Sequence, residues 1–219
     1  MNNLPKRIVL VRHGESEGNV IAVEDVHSLE KPNYAFSLTQ KGRKQAEITG
    51  EHLREKFGEF DSYFCSTYKR TQETLSLLYP DARPFVDSRL NEISRGVWNT
   101  MPRDMVQTCH PYEEKISGSE KSYHYRALGG QNCPDVELGI YSFLDSLRIS
   151  HSDENILIAG HGNWMICFWR VVLNKYAEEY EVRYAEDKYK NAAYAVYERK
   201  DKRLSLVEDN IVPWQDYRF

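Results

Sequence analysis

Two histidines, each followed by glycine, stand at the ends of two short apolar runs. His13-Gly14 follows the run Ile8 to Val11, and His161-Gly162 follows the run from 155 to 159. Neutral imidazole carries one lone pair and one N–H, so such a histidine can act as a nucleophile or as a donor to an anion. Arg12 adds a guanidinium group beside the first histidine, and guanidinium matches phosphate oxygens with two parallel hydrogen bonds. The residue types therefore indicate phosphoryl chemistry.

Two further charged residues fit the same chemistry. Arg70 lies one turn into a predicted helix, which Ser66-Thr67 is expected to cap, and its helical phase directs it to the edge of a sheet. Glu92 stands near apolar side chains, which predicts a partly buried carboxyl group suited to general acid and base catalysis. Flanking arginines should hold His13 deprotonated near neutral pH, because nearby cations disfavour imidazolium.

Alternating strands and helices must position these residues. The pattern predicts an α/β fold, a three-layer αβα sandwich whose central sheet is mostly parallel and carries helices on both faces. A ligand site in such a fold lies at the carboxyl ends of the strands, where both H-G pairs occur. The chain is predicted to form a single domain over 1–219, with a lid or insertion at about 99–132 built from a helix and a loop excursion. Runs 192–198 and 203–207 predict a closing hairpin.

Five segments of the chain resemble the histidine phosphatase superfamily, also called the phosphoglycerate-mutase-like family. The resemblance rests on R-H-G-E-S with a following asparagine, L-T-x-x-G-x-x-Q-A, S-x-x-x-R-x-x-x-T, L-x-E-x-x-x-G-x-W and a strand followed by H-G. These segments begin at Arg12, Leu38, Ser66, Leu90 and residue 156. The resemblance implies a phosphohistidine intermediate on His13 and proton donation by Glu92, with no cofactor.

The same resemblance assigns the site residues. The implied catalytic residues are His13, Glu92, His161, Arg12 and Arg70; those implied to bind substrate are Arg12, Gly14, Asn19, Arg70, His161 and Gly162. The chain also departs from the family pattern, since Gln131 is neutral where relatives are acidic, and Gly139 stands where arginine is common. Because the insertion sets substrate choice in this family, candidate lid residues are named as well: Arg103, Tyr112, Lys121, Tyr123, Tyr125 and Arg126.

Several functions are compatible with these residues. The preferred one is a phosphatase that acts on a small phosphomonoester. A phosphoglycerate mutase is an alternative, although the E-R-H-Y-G segment of mutases is poorly matched by the residues after Glu92. A non-catalytic binder of a phosphorylated ligand on the same fold is another. A metal site of two histidines and a carboxylate is disfavoured, because two arginines in the same pocket would repel a dication.

The composition of the chain limits the classes of partner that it is expected to bind. The net charge of −4 and the pI of about 6.0 over 219 residues predict no binding to nucleic acid or to an anionic membrane surface. The N-terminus lacks the apolar stretch of a signal peptide, and no apolar run is long enough to span a membrane. The cysteines are scattered, with Cys65 and Cys167 in apolar surroundings, which indicates neither disulfides nor zinc. A cytoplasmic protein is expected, and no sequence feature indicates an oligomeric state.

Overall fold

The fold is built on one mixed β-sheet with helices on both sides. The structure, a computed structural model, describes residues 3–21, 31–119 and 122–218. Within these residues the sheet has six strands in the order β3-β2-β4-β1-β5-β6. The first four in this order run parallel, whereas β5 and β6 are antiparallel and form the predicted hairpin. The strands are β1 (Arg7–Arg12), β2 (Ser62–Cys65), β3 (Phe85–Val86), β4 (Asn155–Gly160), β5 (Tyr194–Lys200) and β6 (Arg203–Ile211).

Eight α-helices lie in the described part of the chain. They are α1 (Glu17–Val20), α2 (Gln40–Phe57), α3 (Lys69–Leu78), α4 (Arg103–Cys109), α5 (Pro111–Ser119), α6 (Cys133–Ser150), α7 (Gly162–Val172) and α8 (Ala177–Glu186). Short 3-10 turns occur at Asn33–Ala35, Ser88–Leu90 and Gly96–Asn99. None of these helices combines the length and apolar character needed to cross a bilayer, within the residues described.

Alternation along β1 explains why helices cover both faces of the sheet. Ile8 and Leu10 pack into a cluster with α6 and α7, whereas Val9 and Val11 pack into a second cluster with α2 and α3. All four side chains are fully buried. A strand buried on both faces reads as a continuous apolar run, as observed here. The predicted three-layer α/β sandwich with a mostly parallel sheet is confirmed.

The helix that carries Arg70 begins later than the sequence predicts. Tyr68, rather than Ser66-Thr67, occupies the N-cap position of α3. The Ser66 hydroxyl nevertheless accepts a hydrogen bond from the Tyr68 backbone N–H at 3.1 Å. The cap prediction was therefore wrong in position, because the chain makes a turn at Ser66 before the helix starts. Thr39 caps α2, and its hydroxyl accepts a hydrogen bond from the Gly42 N–H at 3.0 Å.

The predicted insertion is more regular than a helix and a loop. Residues 99–132 contain both α4 and α5, which are separated by a single residue, His110. In α4 only Val106 is buried, and in α5 none of the described side chains is. Lys121, one of the candidate lid residues, lies outside the described residues. The two helices of the segment thus bury one described side chain, and Tyr123 and Ala127 after them are also buried.

Candidate active site

His13 lies directly after β1, at the carboxyl edge of the parallel strands. Its Nδ1 is 2.7 Å from the Gly14 carbonyl oxygen, which assigns the proton to Nδ1 and leaves the lone pair on Nε2. The backbone N–H of His13 donates to Gly160 at 3.0 Å, so the end of β4 fixes this residue. Burial, and then the charges of Arg70 and Arg12, hold the pKa of His13 well below its usual range, despite an opposing contribution from Gly14. The imidazole is therefore neutral at physiological pH.

Two arginines approach this imidazole from different elements. Arg70, on the first turn of α3, donates from Nε to His13 Nε2 at 3.2 Å. Burial lowers the pKa of Arg70 to about 10, a shift that the charge of Glu92 opposes, and the residue remains cationic at neutral pH. Arg12, the last residue of β1, donates to the Tyr189 carbonyl at 2.5 Å. Both guanidinium groups are thus held by hydrogen bonds within the protein.

His161 is the N-cap residue of α7 and is completely buried. Its ring centroid lies 5.3 Å from that of His13, and its Nε2 is 2.8 Å from the Ser66 hydroxyl. Burial, followed by the charges of Arg70, His13 and Arg12, lowers the pKa of His161 well below its usual value. The sequence prediction that both histidines and both arginines converge at one edge of the sheet agrees with this geometry.

Two buried nitrogens at this edge lack hydrogen-bond partners among the described residues. They are Nδ1 of His161 and Nε of Arg12. An unsatisfied buried polar group costs about 1–3 kcal/mol, so such groups in a native structure require a physical explanation. An anion bound at the N-terminus of α7 would supply the missing acceptor, since the helix dipole also favours negative charge there.

Glu92 reaches the same helix N-terminus from the loop after the 3-10 turn at Ser88–Leu90. Its carboxylate accepts from the backbone N–H of Asn163 at 3.3 Å and from that of Trp164 at 3.2 Å. The side chain is half-buried, as predicted. Its charge opposes the lowering of the pKa of both Arg12 and Arg70. The carboxylate therefore lies within electrostatic range of both arginines.

Three other residues with predicted binding roles serve the architecture of the loop. The Gly14 N–H donates to the Thr74 hydroxyl at 3.1 Å. The side-chain oxygen of Asn19 accepts from the Ser16 backbone at 3.0 Å and from the Asn191 amide at 3.1 Å. Gly162 opens α7 beside Arg12: a Cβ at this position would lie 3.3 Å from the guanidinium Nε. Binding of substrate by these three residues stays a prediction.

A cavity of about 420 Å³ lies beside the segment that carries Glu92, although Glu92 itself is not one of its lining residues. Its lining includes Ile93, which follows Glu92, and Asn163, which donates to it. Of the candidate lid residues, Arg103 and Tyr125 line this cavity. Three of the others lie elsewhere: Tyr123 is buried and donates to Glu137, and Tyr112 is exposed; Arg126 pairs with Asp135.

Sequence reasoning missed two residues that hold Arg70. The Tyr68 ring lies 4.6 Å from the guanidinium carbon, and Asn33 accepts from Nη1 through its carbonyl oxygen at 2.8 Å. An aromatic residue two positions before an arginine is a weak signal that could have indicated the ring contact. No local pattern connects Asn33 with Arg70, because the contact depends on the course of the chain before α2.

Comparison with known proteins identifies a matching family model and related sequences. The sequence model of the histidine phosphatase superfamily (branch 1) matches residues 8–212. A fructose-2,6-bisphosphatase of Saccharomyces cerevisiae is 30% identical over 176 residues, which are 80% of this chain but 36% of that protein. The chain thus spans about a third of the length of this relative. A phosphoglycerate mutase of Schizosaccharomyces pombe is 27% identical over 166 residues, covering 73% of this chain and 75% of the relative.

Solved structures share the fold. The α-ribazole phosphatase of Shigella flexneri superposes with a TM-score of 0.74 at 20% identity, and the match covers 94% of this chain and 98% of that one. At this level of identity the similarity establishes the architecture and not the substrate.

Proposed function

Because the chain belongs to the histidine phosphatase superfamily, we propose that it hydrolyses a small phosphomonoester through a phosphohistidine on His13, with Glu92 as general acid and base. The observation that carries this proposal is the state of His13: a neutral imidazole whose Nδ1 is fixed by Gly14 and whose Nε2 faces Arg70. A lone pair held among cations can attack an electrophilic phosphorus atom whose oxygens those cations neutralise.

In the first step, His13 Nε2 forms a bond to phosphorus and the bond to the ester oxygen breaks. Arg70 exchanges its hydrogen bond to Nε2 for bonds to the phosphoryl oxygens, which Arg12 and His161 also contact. Protonated Glu92 gives its proton to the departing oxygen, so the leaving group departs as a neutral alcohol. The two unpartnered nitrogens, on Arg12 and His161, gain acceptors when the phosphoryl group binds.

In the second step, the carboxylate of Glu92 acts as a base instead of an acid. Glu92 takes a proton from a water molecule, whose oxygen attacks phosphorus and breaks the bond to His13 Nε2. Inorganic phosphate leaves, and Glu92 is again protonated for the next cycle. Use of one residue as acid and then as base follows from microscopic reversibility, and such a role contributes about 10²–10⁴-fold in rate.

Replacement of the nucleophile tests this proposal. We expect His13→Ala to lower turnover of an aryl phosphate by about 10⁴-fold or more, because the covalent route is lost. Rapid acid-free quenching of wild type with ³²P-labelled substrate should trap a protein-bound phosphate that is stable to base and labile to acid. Full turnover by His13→Ala, with thermal unfolding unchanged, would rule out the proposed nucleophile.

Mutase-type transfer is the second candidate function, favoured by the similarity to the Schizosaccharomyces pombe relative. The two reactions share the first step and differ in the acceptor of the phosphoryl group. Incubation with 3-phosphoglycerate distinguishes them: release of inorganic phosphate indicates hydrolysis, whereas formation of 2-phosphoglycerate without release indicates transfer. A protein that binds phosphate but carries out neither reaction would be the non-catalytic binder.

A further inference from the structure

The cavity beside Glu92 lies where a leaving group would have to go. Asn163 lines this cavity and donates its backbone N–H to Glu92, while Ile93 follows Glu92 in the chain. An ester oxygen close enough to receive a proton from Glu92 is therefore near this cavity, although Glu92 does not line it. The rest of the leaving group must extend inward, into a volume of about 420 Å³. Ligand pockets for small metabolites have volumes of this order.

Aromatic side chains form much of the cavity wall. Tyr180 and Tyr184 have rings inclined by only 11° with centroids 5.8 Å apart. Trp98 donates from its indole N–H to the Tyr125 hydroxyl at 2.6 Å, and both rings line the same space. Rigid flat surfaces of this kind bury flat apolar groups at a low cost in conformational entropy. The wall therefore suits a leaving group with a flat, apolar body.

The two arginines of the wall differ in their partners. Arg103 forms an ion pair with Glu114 at 3.1 Å. Arg95 donates to the hydroxyl of Tyr184 at 2.8 Å, and no carboxylate of the described residues lies within the 4.0 Å that defines an ion pair with it. A guanidinium group has five N–H donors in a planar fork. Arg95 thus brings to the cavity a positive charge that no contacting carboxylate neutralises.

Burial lowers the pKa of Arg95, but Tyr184 and the more distant Glu92 outweigh it and raise the value overall. The side chain is therefore charged at neutral pH. It is also accessible to solvent, so a ligand in the cavity can reach it.

On the premise of the phosphatase function above, we propose that this cavity binds the leaving group of a phosphomonoester with a flat, apolar body that carries a second negative charge, and that Arg95 binds this charge. The phosphoryl group occupies the site formed by Arg12, His13, Arg70 and His161, and the second anion lies at the far side of Glu92. A carboxylate or a second phosphate has the required chemistry.

Binding of two non-hydrolysable analogues tests the proposal without relying on turnover. The probes are 4-carboxybenzylphosphonate and its neutral isostere 4-carbamoylbenzylphosphonate, measured by titration calorimetry with the full chain. We expect wild type to bind the carboxylate about 10–100-fold more tightly, since a hydrogen bond to a charged group supplies this much discrimination. Arg95→Gln should bring the ratio close to one.

Arg126→Gln is the matched control. It removes one positive charge from the same region, but Arg126 pairs with Asp135 at 2.5 Å and does not line the cavity. This variant should retain the wild-type ratio. Loss of affinity for both analogues alike in Arg95→Gln would show that the residue only supports Tyr184 or Glu92, and would overturn the proposal.

Hydrolysis of the corresponding aryl phosphates separates this proposal from the function on which it depends. A wild-type ratio near one, or no binding of either analogue, overturns the cavity assignment even when aryl phosphates are hydrolysed. A preserved preference for the carboxylate without any hydrolysis supports the cavity assignment and contradicts the phosphatase function.

Discussion

The edge proposed to bind the phosphoryl group and the segment proposed to cover it differ in their construction. At the phosphoryl edge, formed by Arg12, His13, Arg70 and His161, each side chain belongs to a strand end or to a helix N-terminus of the central sandwich. The cover segment, residues 96–119 and 122–131, contributes three buried side chains among those described, Val106, Tyr123 and Ala127. Val106 is the one buried side chain of α4, whereas α6 buries six residues. The residues proposed for the chemistry thus lie on the central elements, and those proposed for substrate selection lie on a segment whose helices bury little.

Replacement of one arginine in each region should give the largest difference in activity between the two regions. Arg70→Gln is expected to lower kcat/KM for phenyl phosphate by about 10²–10³-fold, the usual loss when a donor to a developing negative charge is removed. Arg103→Gln, in the cover segment, should change it by less than about threefold, because this arginine already forms an ion pair with Glu114. Steady-state kinetics of both variants measure the contrast, and similar losses in the two would contradict the division.

A matched pair of glycine substitutions probes rigidity in the two regions. In Gly14→Ala the new Cβ would lie 2.3 Å from the Gly42 carbonyl oxygen. Because this oxygen belongs to the backbone of α2, the clash can be relieved only if α2 moves. We expect this change to lower the free energy of unfolding by about 2–4 kcal/mol. Gly129 has a φ of +70° but nothing within 4 Å of its Cβ position. Gly129→Ala should therefore cost only about 1–2 kcal/mol, the penalty for a left-handed residue.

Urea unfolding, followed by circular dichroism, measures both glycine variants. Gly42→Ala serves as a further control at the edge, since its Cβ would lie 1.9 Å from the Glu15 carbonyl oxygen. It should be at least as destabilising as Gly14→Ala. Equal stabilities of Gly14→Ala and Gly129→Ala would mean that the loop after β1 is as tolerant as the cover segment.

The buried histidines predict a dependence of stability on pH that arises at the phosphoryl edge. The pKa values of His13 and His161 are lowered in the folded state, mainly by burial and then by the neighbouring cations. The unfolded chain binds protons at both residues below about pH 6.5, and the folded chain does not. Each histidine should therefore lower the free energy of unfolding by up to about 1.4 kcal/mol per pH unit as the pH falls below 6.5.

Urea titrations between pH 7.5 and 5 measure this loss, and His161→Gln should remove about half of the histidine contribution. NMR titration of the two imidazoles offers a direct check. A normal titration of His13 near pH 6.5 would contradict the assignment of a neutral, buried nucleophile.

The sequence predicts the phosphoryl edge better than it predicts the cover segment. His13 and His161 each follow a buried apolar run, and Gly14 and Gly162 allow close backbone approach, so strand patterns alone bring these residues to one edge. Arg70 follows from helical phase, although its helix begins at Lys69 and not after a cap at Ser66. At this edge the local pattern and the global topology agree.

No local sequence pattern predicts which residues form the cavity wall. Arg95 and Tyr184 are 89 positions apart in the chain, and no sequence pattern around either residue predicts their contact. Tyr123 and Tyr125 are close in sequence and similar in type, yet the first is buried against Glu137 and the second lines the cavity. Their roles depend on how the cover segment packs, which short-range propensities do not determine.

The smallest expected effect comes from the hydrogen bonds that tie the cover segment together. The Tyr125 hydroxyl accepts from Trp98 at 2.6 Å and donates to Glu113 of α5 at 2.8 Å. Tyr125→Phe removes both bonds, which should lower the free energy of unfolding by about 1 kcal/mol. It should raise KM for an aryl phosphate about two- to fivefold and leave kcat unchanged, because the wall loosens while the phosphoryl edge does not. Tyr112→Phe is the control, since Tyr112 is 75% exposed. A fall in kcat at constant KM would place the cover segment in the chemical step and remove the distinction between the two regions.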